Sequence, residues 1–216
     1  TSHFVWRAGG DEAYFDVFGV PPRGSEPWET EVEGFYAGRH LVGEMKRTDR
    51  DKDWPYATAL GVKMLLADDP RGWWHIFSEE VMREMLRERA CPPEIVARRP
   101  VLQLLLQNDV RLRGALHAEE MFWHELDRLR TQIYYRAVRP YTLAVRKAAV
   151  AGPAALLAQH AIRIECAQQH LPLNPLLEHG LDRLIEEARE GLKELLGSDA
   201  SFLWLPDVRA HFISLV

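Results

Sequence analysis

Apolar and polar positions alternate near the start of the chain and then recur at helical spacing through most of the rest. Aromatic and β-branched residues flank Gly9-Gly10, which predicts a β-hairpin with strands Phe4–Arg7 and Tyr14–Phe18. Alternation within Thr30–Tyr36 predicts another short strand. These patterns therefore predict a small antiparallel sheet in the first part of the chain.

After Arg39 the apolar positions follow the 3.6-residue period of an α-helix. Asp53 before Trp54-Pro55 predicts a helix start with a carboxylate cap, and Pro140 predicts the end of a long helix. Beyond a first helical stretch around residues 41–45, the predicted helices cover about residues 54–67, 81–89, 93–98, 101–107, 112–138, 141–150, 154–170 and 181–196. We expect the apolar tail, residues 199–216, to dock on the core.

These elements predict an α+β fold class, with a small N-terminal antiparallel sheet remnant followed by a mostly α-helical C-terminal part. The length of 216 residues suits one domain, or one domain with an appended helical subdomain. We place the boundary between a sheet-containing region, residues 1–70, and a helical domain, residues 71–216.

The composition is typical of a soluble globular protein. Apolar residues make up 47% and charged residues 27%, and no stretch approaches the roughly 20 apolar residues of a membrane span. Thr1–Gly10 contains no apolar stretch of the kind that a signal peptide has, and Cys91 and Cys166 build no disulfide framework. We therefore expect a cytoplasmic protein with no membrane partner. Because the sequence starts at Thr1 without Met and enters a strand at once, we also expect it to be a fragment.

The charge is distributed unevenly. Residues 1–70 carry 8 Lys and Arg against 13 Asp and Glu, whereas residues 128–164 carry seven bases and no acid. The net charge of −5 argues against a general nucleic-acid binder. Within the acid-free window, however, tyrosines lie among the bases, an arrangement that suits RNA or a nucleotide. The alternative is that these bases pair with acids of other helices, such as Glu186, Glu187 and Glu190.

Asp16 stands between hydrophobic residues in the second predicted strand. Such an acid is costly in an apolar setting unless it has a partner or a metal. Enzymes that transfer phosphoryl or nucleotidyl groups with two metal ions use carboxylates that converge on Mg²⁺ from neighbouring strands. The alternative is that Asp16 lies on a half-exposed edge strand and faces water.

A run of mixed charge joins the first two helical stretches. Four bases and three acids lie between Glu44 and Lys52. Lys and Arg at such a junction suit a polyphosphate, with Lys acting as a point charge and Arg as a fork. The alternative is a solvated connection in which these charges pair with one another.

The Asp16 strand, the short β segment and the run from Lys46 to Pro55 together resemble the distal half of nucleotidyltransferase-fold proteins, in particular the minimal nucleotidyltransferase and AbiEii-toxin-like group. The resemblance covers roughly residues 4–67. In that group a strand of this kind brings the third catalytic acid, and a following helix carries a lysine with Arg and Lys-Asp just beyond. The matching positions here are Asp16, Lys46, Arg50, Lys52 and Asp53.

The resemblance implies a protein that transfers a nucleoside monophosphate from an NTP to an unknown acceptor, RNA or protein, with Mg²⁺. Asp16 would be the catalytic, metal-binding carboxylate, and Lys46, Arg50 and Lys52 the nucleotide-binding cations. The family's opening motif, Gly-Ser followed by paired acids, is absent from this sequence. We therefore expect either a fragment that lacks the first metal-binding motif or, alternatively, a non-catalytic helical interaction module with a degenerate N-terminus.

A second set of polar residues lies on one predicted helix. His117, Glu120, His124 and Asp127 are spaced by three, four and three residues, which places them on one face. Helical metal sites use such faces together with ligands from a second helix. Since no Glu-x-x-His pair repeats elsewhere, we favour a polar outer face over a metal site.

Overall fold

The computed structural model describes residues 2–17, 32–149, 155–172, 174–197 and 200–215. Four strands lie within these ranges: β1 (Ser2–Ala8), β2 (Asp11–Val17), β3 (Val32–Glu33) and β4 (Tyr36–Ala37). The α-helices of the same ranges are α1 (Arg39–Met45), α2 (Trp54–Leu66), α3 (Glu79–Glu88), α4 (Pro93–Arg98), α5 (Val101–Leu106), α6 (Leu112–Ala149), α7 (Leu156–His170), α8 (Pro175–His179) and α9 (Leu181–Leu196). Short 3-10 helices cover Asp51–Asp53, Pro70–Trp74, Ala200–Trp204 and Arg209–Leu215. The α+β class with a mostly helical C-terminal part is confirmed.

The N-terminal hairpin has the predicted antiparallel form. β1 and β2 pair in a two-stranded sheet in which Phe4 lies opposite Phe15. Gly9 and Gly10 form the turn with φ values of +59° and +93°, which glycine adopts without a Cβ clash. Phe18, predicted as the last residue of the second strand, lies outside the described residues.

The single strand predicted over Thr30–Tyr36 is wrong. The described part of this segment is instead a second small hairpin, in which β3 pairs with β4 around a turn at Gly34 and Phe35. Gly34 has a φ of +65°, in the left-handed region, so the chain reverses there instead of extending. The alternating pattern correctly indicated β-structure, but it did not show that the chain turns at residues 34 and 35.

Contacts divide the chain into two compact units, at boundaries that differ from the predicted 1–70 and 71–216. Unit 1 comprises residues 1–120 and 200–216, and unit 2 comprises residues 121–199. The core of unit 1 is continuous from α2 to the first turns of α6 and includes the fully buried Trp73, Ile76, Met82, Leu102 and Leu105. As predicted, the C-terminal tail adds to unit 1, with Leu205, Val208 and Phe212 buried.

Unit 2 is built from the later turns of α6 together with α7, α8 and α9. The helix predicted over residues 181–196 is observed with these bounds as α9, and Gly197 follows as its C-cap. Its buried side chains are Leu184, Ile185, Ala188 and Leu192. Close packing also occurs within this unit, because a Cβ at Gly191 would lie 2.5 Å from Oε1 of Glu125 on α6.

The predicted helix end before Pro140 is wrong, since α6 continues through this proline to Ala149. A proline inside a helix removes one backbone hydrogen bond and costs roughly 3 kcal/mol. Pro140 lies on the exposed side of α6, where water can solvate the carbonyl group that loses its donor. Two residues later the Thr142 hydroxyl donates to the Val138 carbonyl at 3.1 Å.

Among the described helices, none is long and apolar enough to cross a membrane.

Helix α2 packs directly against the 3-10 helix Pro70–Trp74 through two glycines. A Cβ at Gly61 would lie 2.7 Å from the Gly72 carbonyl oxygen, and a Cβ at Gly72 would clash with the Gly61 carbonyl oxygen. Distances below 3 Å require the backbone to move. This contact therefore depends on the absence of side chains at both positions.

We expect Gly61→Ala to lower the free energy of unfolding by about 2 kcal/mol, because the clash outweighs the gain in helix propensity. The matched control is Gly114→Ala in α6, where nothing lies within 4 Å of an added Cβ. There the same change should raise stability by up to about 1 kcal/mol. Urea unfolding followed by circular dichroism measures both variants, and equal effects would refute the packing argument.

Candidate functional site: the junction between α1 and α2

The site predicted at residues 46–53 is a network built around one buried carboxylate. Asp53, with a side chain 2% exposed, accepts hydrogen bonds from Lys46 Nζ at 3.0 Å, Thr48 Oγ1 at 2.8 Å and Arg50 Nε at 2.7 Å. The Thr48 hydroxyl also accepts from the Arg50 backbone N–H at 3.1 Å. The connection between the two helices is therefore fixed by side chains as well as by backbone.

Asp53 does not act as the predicted helix cap. Helix α2 does begin at Trp54 with Pro55 in its first turn, but the Asp53 side chain makes no capping hydrogen bond. The carboxylate turns instead toward the three donors of the preceding segment. Burial alone would raise the pKa of Asp53, but the hydrogen bonds from Thr48, Lys46 and Arg50 outweigh it and hold the pKa below its usual value.

The two cations of the network reach the surface. The side chain of Lys46 is 32% exposed and that of Arg50 is 54% exposed, although both are anchored on the same buried carboxylate. Next to them Tyr56, in the first turn of α2, is 62% exposed, and its ring centre lies 5.6 Å from Lys46 Nζ. An ammonium group has three donors and a guanidinium has five, so both retain donors for an external acceptor.

This arrangement can bind an anion with several oxygens. The cations are held in place before a ligand arrives, so less side-chain entropy is lost on binding. A guanidinium and an ammonium side by side match the oxygens of a polyphosphate, and an exposed ring adds a surface for a base. Thr48 and Tyr56 were not identified from the sequence, because hydroxyl and aromatic side chains carry no signal until the fold places them beside the cations.

Lys52, the third predicted nucleotide-binding cation, is exposed in the 3-10 helix Asp51–Asp53. The ion pairs found among the described residues do not include it. Lys52 can therefore contribute long-range attraction for an anion, but the Asp53 network does not fix its position.

Asp16, the predicted catalytic carboxylate, is exposed on β2 opposite His3 of β1. Within the described residues the hairpin packs extensively only on itself. The structure thus brings together Lys46 and Arg50, but it does not bring Asp16 into their network. The described residues also contain no group of three or more His, Cys, Asp or Glu side chains that could hold a metal ion. Taken alone, these residues do not fit a Mg²⁺ site.

Among the described residues, the four polar side chains predicted to share one face of α6 belong to no group of three or more that could hold a metal ion. Asp127 is buried and accepts from Arg130 Nη2 at 2.7 Å, so this carboxylate is already bound. His117 and Glu120 lie at a surface pocket that also contains Glu79 and Arg113. The Arg113 side chain pairs with Glu79 at 3.0 Å, which partly neutralises the acids there.

A buried polar cluster in unit 1 was not predicted from the sequence. His40 and Glu44 lie one turn apart on the same face of α1, Arg47 follows just after the helix ends, and all three are buried. His75 lies beside them, with Nε2 at 2.9 Å from Nδ1 of His40. His211 of the C-terminal tail lies with Nδ1 at 3.8 Å from Glu44 Oε1. The spacing of four residues between His40 and Glu44 on α1 was the available signal, although it does not reveal the partners from distant segments.

Charge and burial compete within this cluster. Burial would raise the pKa of Glu44, but His211, Arg47 and His40 around it hold the pKa well below its usual value. Burial lowers the pKa of His75 well below the usual value, and the nearby Arg47 and His40 lower it further. The cluster is closed to solvent and brings α1, the segment around His75 and the C-terminal tail into contact.

Comparison with known proteins does not assign the chain to a family or a function. No family model matches the chain, and neither curated proteins nor solved structures include a match to it. A functional proposal therefore depends on the geometry of the junction and on the motif resemblance.

Proposed function

We propose that this chain binds the triphosphate of an NTP at the junction between α1 and α2, as part of a nucleotidyltransferase-like protein that transfers a nucleoside monophosphate to an unknown acceptor. The observation that carries the proposal is the convergence of Lys46 and Arg50 on buried Asp53, with both cations still accessible to solvent. Burying the charge of Asp53 costs free energy, because the carboxylate loses its hydration. Exposed ion pairs do not carry this cost, so the buried carboxylate distinguishes this network from an ordinary surface ion pair.

Each member of the network has a separate role in this proposal. Asp53 fixes the two cations, and Thr48 fixes the orientation of that carboxylate by donating its hydroxyl proton. Lys46 and Arg50 offset the negative charge of the phosphate oxygens. Tyr56 offers a ring beside Lys46 for contact with the base or the sugar.

The role of Asp16 stays a prediction from the resemblance. A single exposed carboxylate does not make a site for two metal ions, so the proposal assigns no step to a metal. It concerns nucleotide binding, which this chain can be tested for directly. Transfer to an acceptor needs catalytic carboxylates in addition to Asp16.

Calorimetric titration with ATP, GTP, CTP, UTP and inorganic tripolyphosphate tests the proposal on the chain as it stands. Wild type should bind at least one NTP, and Lys46→Ala and Arg50→Ala should each weaken binding by about tenfold or more, since each removes a charge-assisted hydrogen bond. The control is Lys63→Ala, which removes an exposed lysine of α2 away from the network and should leave affinity unchanged. Melting curves confirm that each variant is folded.

The competing hypothesis, a non-catalytic interaction module, predicts no nucleotide binding by wild type. That result, or an equal loss in the Lys63→Ala control, contradicts the proposal. Binding of tripolyphosphate as tightly as NTP would limit the site to the phosphates and would exclude a contribution from Tyr56. A Tyr56→Ala variant checks that point independently.

A further inference from the structure

The exposed side of α6 in unit 2 is basic along its whole distal half. Between residues 131 and 148 the exposed positions all fall on one face of the helix. They are Tyr135, Arg136, Arg139, Pro140, Leu143, Arg146 and Lys147. Four of these seven residues are cations and none is an acid. We refer to Arg136, Arg139, Arg146 and Lys147, together with Tyr135, as the basic face.

The cations of the basic face differ from the two arginines that precede them on α6. Arg128 pairs with Glu125 and Arg130 pairs with Asp127, so those charges are neutralised within their own helix. In contrast, no acid pairs with the four cations of the basic face among the described residues, and Arg136 donates only to the Gln132 side-chain oxygen at 3.4 Å. The face therefore carries about four uncompensated positive charges.

Those charges are spread along one continuous helix. Residues 135 and 147 are twelve positions apart, which corresponds to roughly 18 Å along a helix. Tyr135 is 75% exposed, although a tyrosine ring normally gains free energy by burial. It lies next to Arg136 and one turn before Arg139. An exposed ring with a guanidinium group one turn away on the same face provides stacking and charge at the same place.

We propose that the basic face of α6 binds single-stranded nucleic acid, with the four cations on backbone phosphates and Tyr135 stacked on a base. A polyanion is the partner that matches a row of unpaired cations, and an exposed ring matches bases that are not already paired. An anionic membrane fits less well, because the exposed face holds only two aliphatic side chains, Pro140 and Leu143, and offers no apolar stripe to insert. The inference does not depend on nucleotide binding at the junction of α1 and α2.

Fluorescence anisotropy with labelled single-stranded RNA and DNA 20-mers at 50 and 200 mM KCl tests the proposal. If four phosphates are contacted, wild-type affinity should fall about fifty-fold between the two salt concentrations. The triple variant Arg139→Gln, Arg146→Gln, Lys147→Gln should bind at least tenfold more weakly at 50 mM. Its affinity should fall only about threefold with salt, since one cation remains. Tighter binding of RNA than of DNA would assign the contact to the 2′-hydroxyl.

A matched control changes the same number of charges elsewhere in unit 2. The triple variant Arg183→Gln, Arg189→Gln, Lys193→Gln neutralises exposed residues of α9 and should leave affinity and salt dependence near wild type. Tyr135→Ala should weaken binding about fivefold or more without changing the salt dependence, and Tyr135→Phe should restore it. Lys46→Ala should leave nucleic-acid binding unchanged, which separates this inference from the proposed function.

Three outcomes would overturn the proposal. One is the absence of binding by wild type at 50 mM KCl. Another is an equal loss of affinity in the α9 control, which would indicate general electrostatic attraction. The third is binding to vesicles of anionic phospholipid without binding to either nucleic acid, which would assign the basic face to a membrane surface.

Discussion

Replacing Arg99 by methionine should cost roughly 3–5 kcal/mol of unfolding free energy, the largest effect expected of any single change in unit 1. Arg99 is 2% exposed and forms a bidentate pair with Glu119, itself 1% exposed, at distances of 2.8–3.0 Å. Its Nη1 also donates to the backbone carbonyls of Trp73 and Ile76, at 2.6 and 2.8 Å. Without Arg99 a buried carboxylate and two carbonyl groups lose their donors.

The double variant Arg99→Met, Glu119→Leu should recover part of this loss. It removes the uncompensated buried charge and replaces the pair by apolar side chains of similar size. Recovery should be incomplete, because the carbonyls of Trp73 and Ile76 remain without donors. Urea unfolding measures both variants, and the double variant remains informative if the single one does not fold.

The matched control is Arg113→Met. Arg113 also pairs with a glutamate, Glu79, but its side chain is 87% exposed. Exposed pairs contribute about 0–1 kcal/mol, so the control should stay close to wild type. A loss below about 1 kcal/mol for Arg99→Met would show that the buried pair does not hold the core segments together.

Acidification from pH 6.5 to 5 should destabilise the protein steeply because of His75. The folded-state pKa of His75 lies well below the usual value near 6.5, so the unfolded chain takes up a proton in this interval and the folded chain does not. Stability is therefore complete above about pH 6.5 and falls as pH drops, by up to about 1.4 kcal/mol per pH unit for one proton. His75 Nδ1 has no hydrogen-bond partner among the described residues, so a second ring proton would meet no acceptor there.

Carboxylates change the free energy of unfolding at lower pH than His75 does, so the two contributions can be measured separately. The pKa values of Glu44 and Asp53 are lowered in the fold, so their contributions are present above the unfolded values near 4.5 and 3.8 and are lost as pH falls below them. Loss of stability between pH 6.5 and 5 therefore reports on histidine. Below about pH 4.5 the carboxylates dominate.

The measurement is the free energy of unfolding at pH 7.0, 6.5, 6.0, 5.5 and 5.0. His75→Gln should flatten the pH dependence in this range, even if it lowers stability at pH 7. The control His160→Gln changes an exposed histidine of α7 and should keep the wild-type dependence. A wild-type curve that is flat between pH 6.5 and 5 would contradict the assignment, and so would equal curves for both variants.

Local signals in the sequence predicted many of the elements, because each has its cause within a few residues. The Gly9-Gly10 turn was predicted because glycine adopts positive φ values without a Cβ clash. The helix predicted over residues 81–89 is observed as α3, and its N-cap Ser78 accepts through the hydroxyl oxygen from the Val81 N–H at 3.4 Å. The Pro140 prediction failed because the rule that proline ends helices is weaker on an exposed face that water can reach.

Residue roles were less predictable than elements. Asp53 has the sequence context of a helix cap, but in the fold its carboxylate binds Lys46, Thr48 and Arg50. The Asp53 carboxylate could accept either from backbone N–H groups at the start of α2 or from the three side-chain donors. The position of residues 46–50 in the fold decides between them. The sequence predicted correctly that charges would concentrate at this junction, and the tertiary structure determined which of them pair.

The sequence by itself determined the α+β class, the hairpin turn, the ends of α9 and the docking of an apolar C-terminal tail. These features depend on backbone preferences and on the period of apolar residues, and both can be read in one chain segment. Only the tertiary structure decided the burial of Arg99 with Glu119 and the meeting of His75 with His40. It also showed that the cations of the basic face on α6 have no acidic partner among the described residues. Those features depend on pairs of groups far apart in sequence, since burial and charge compensation are properties of the neighbours that folding brings together.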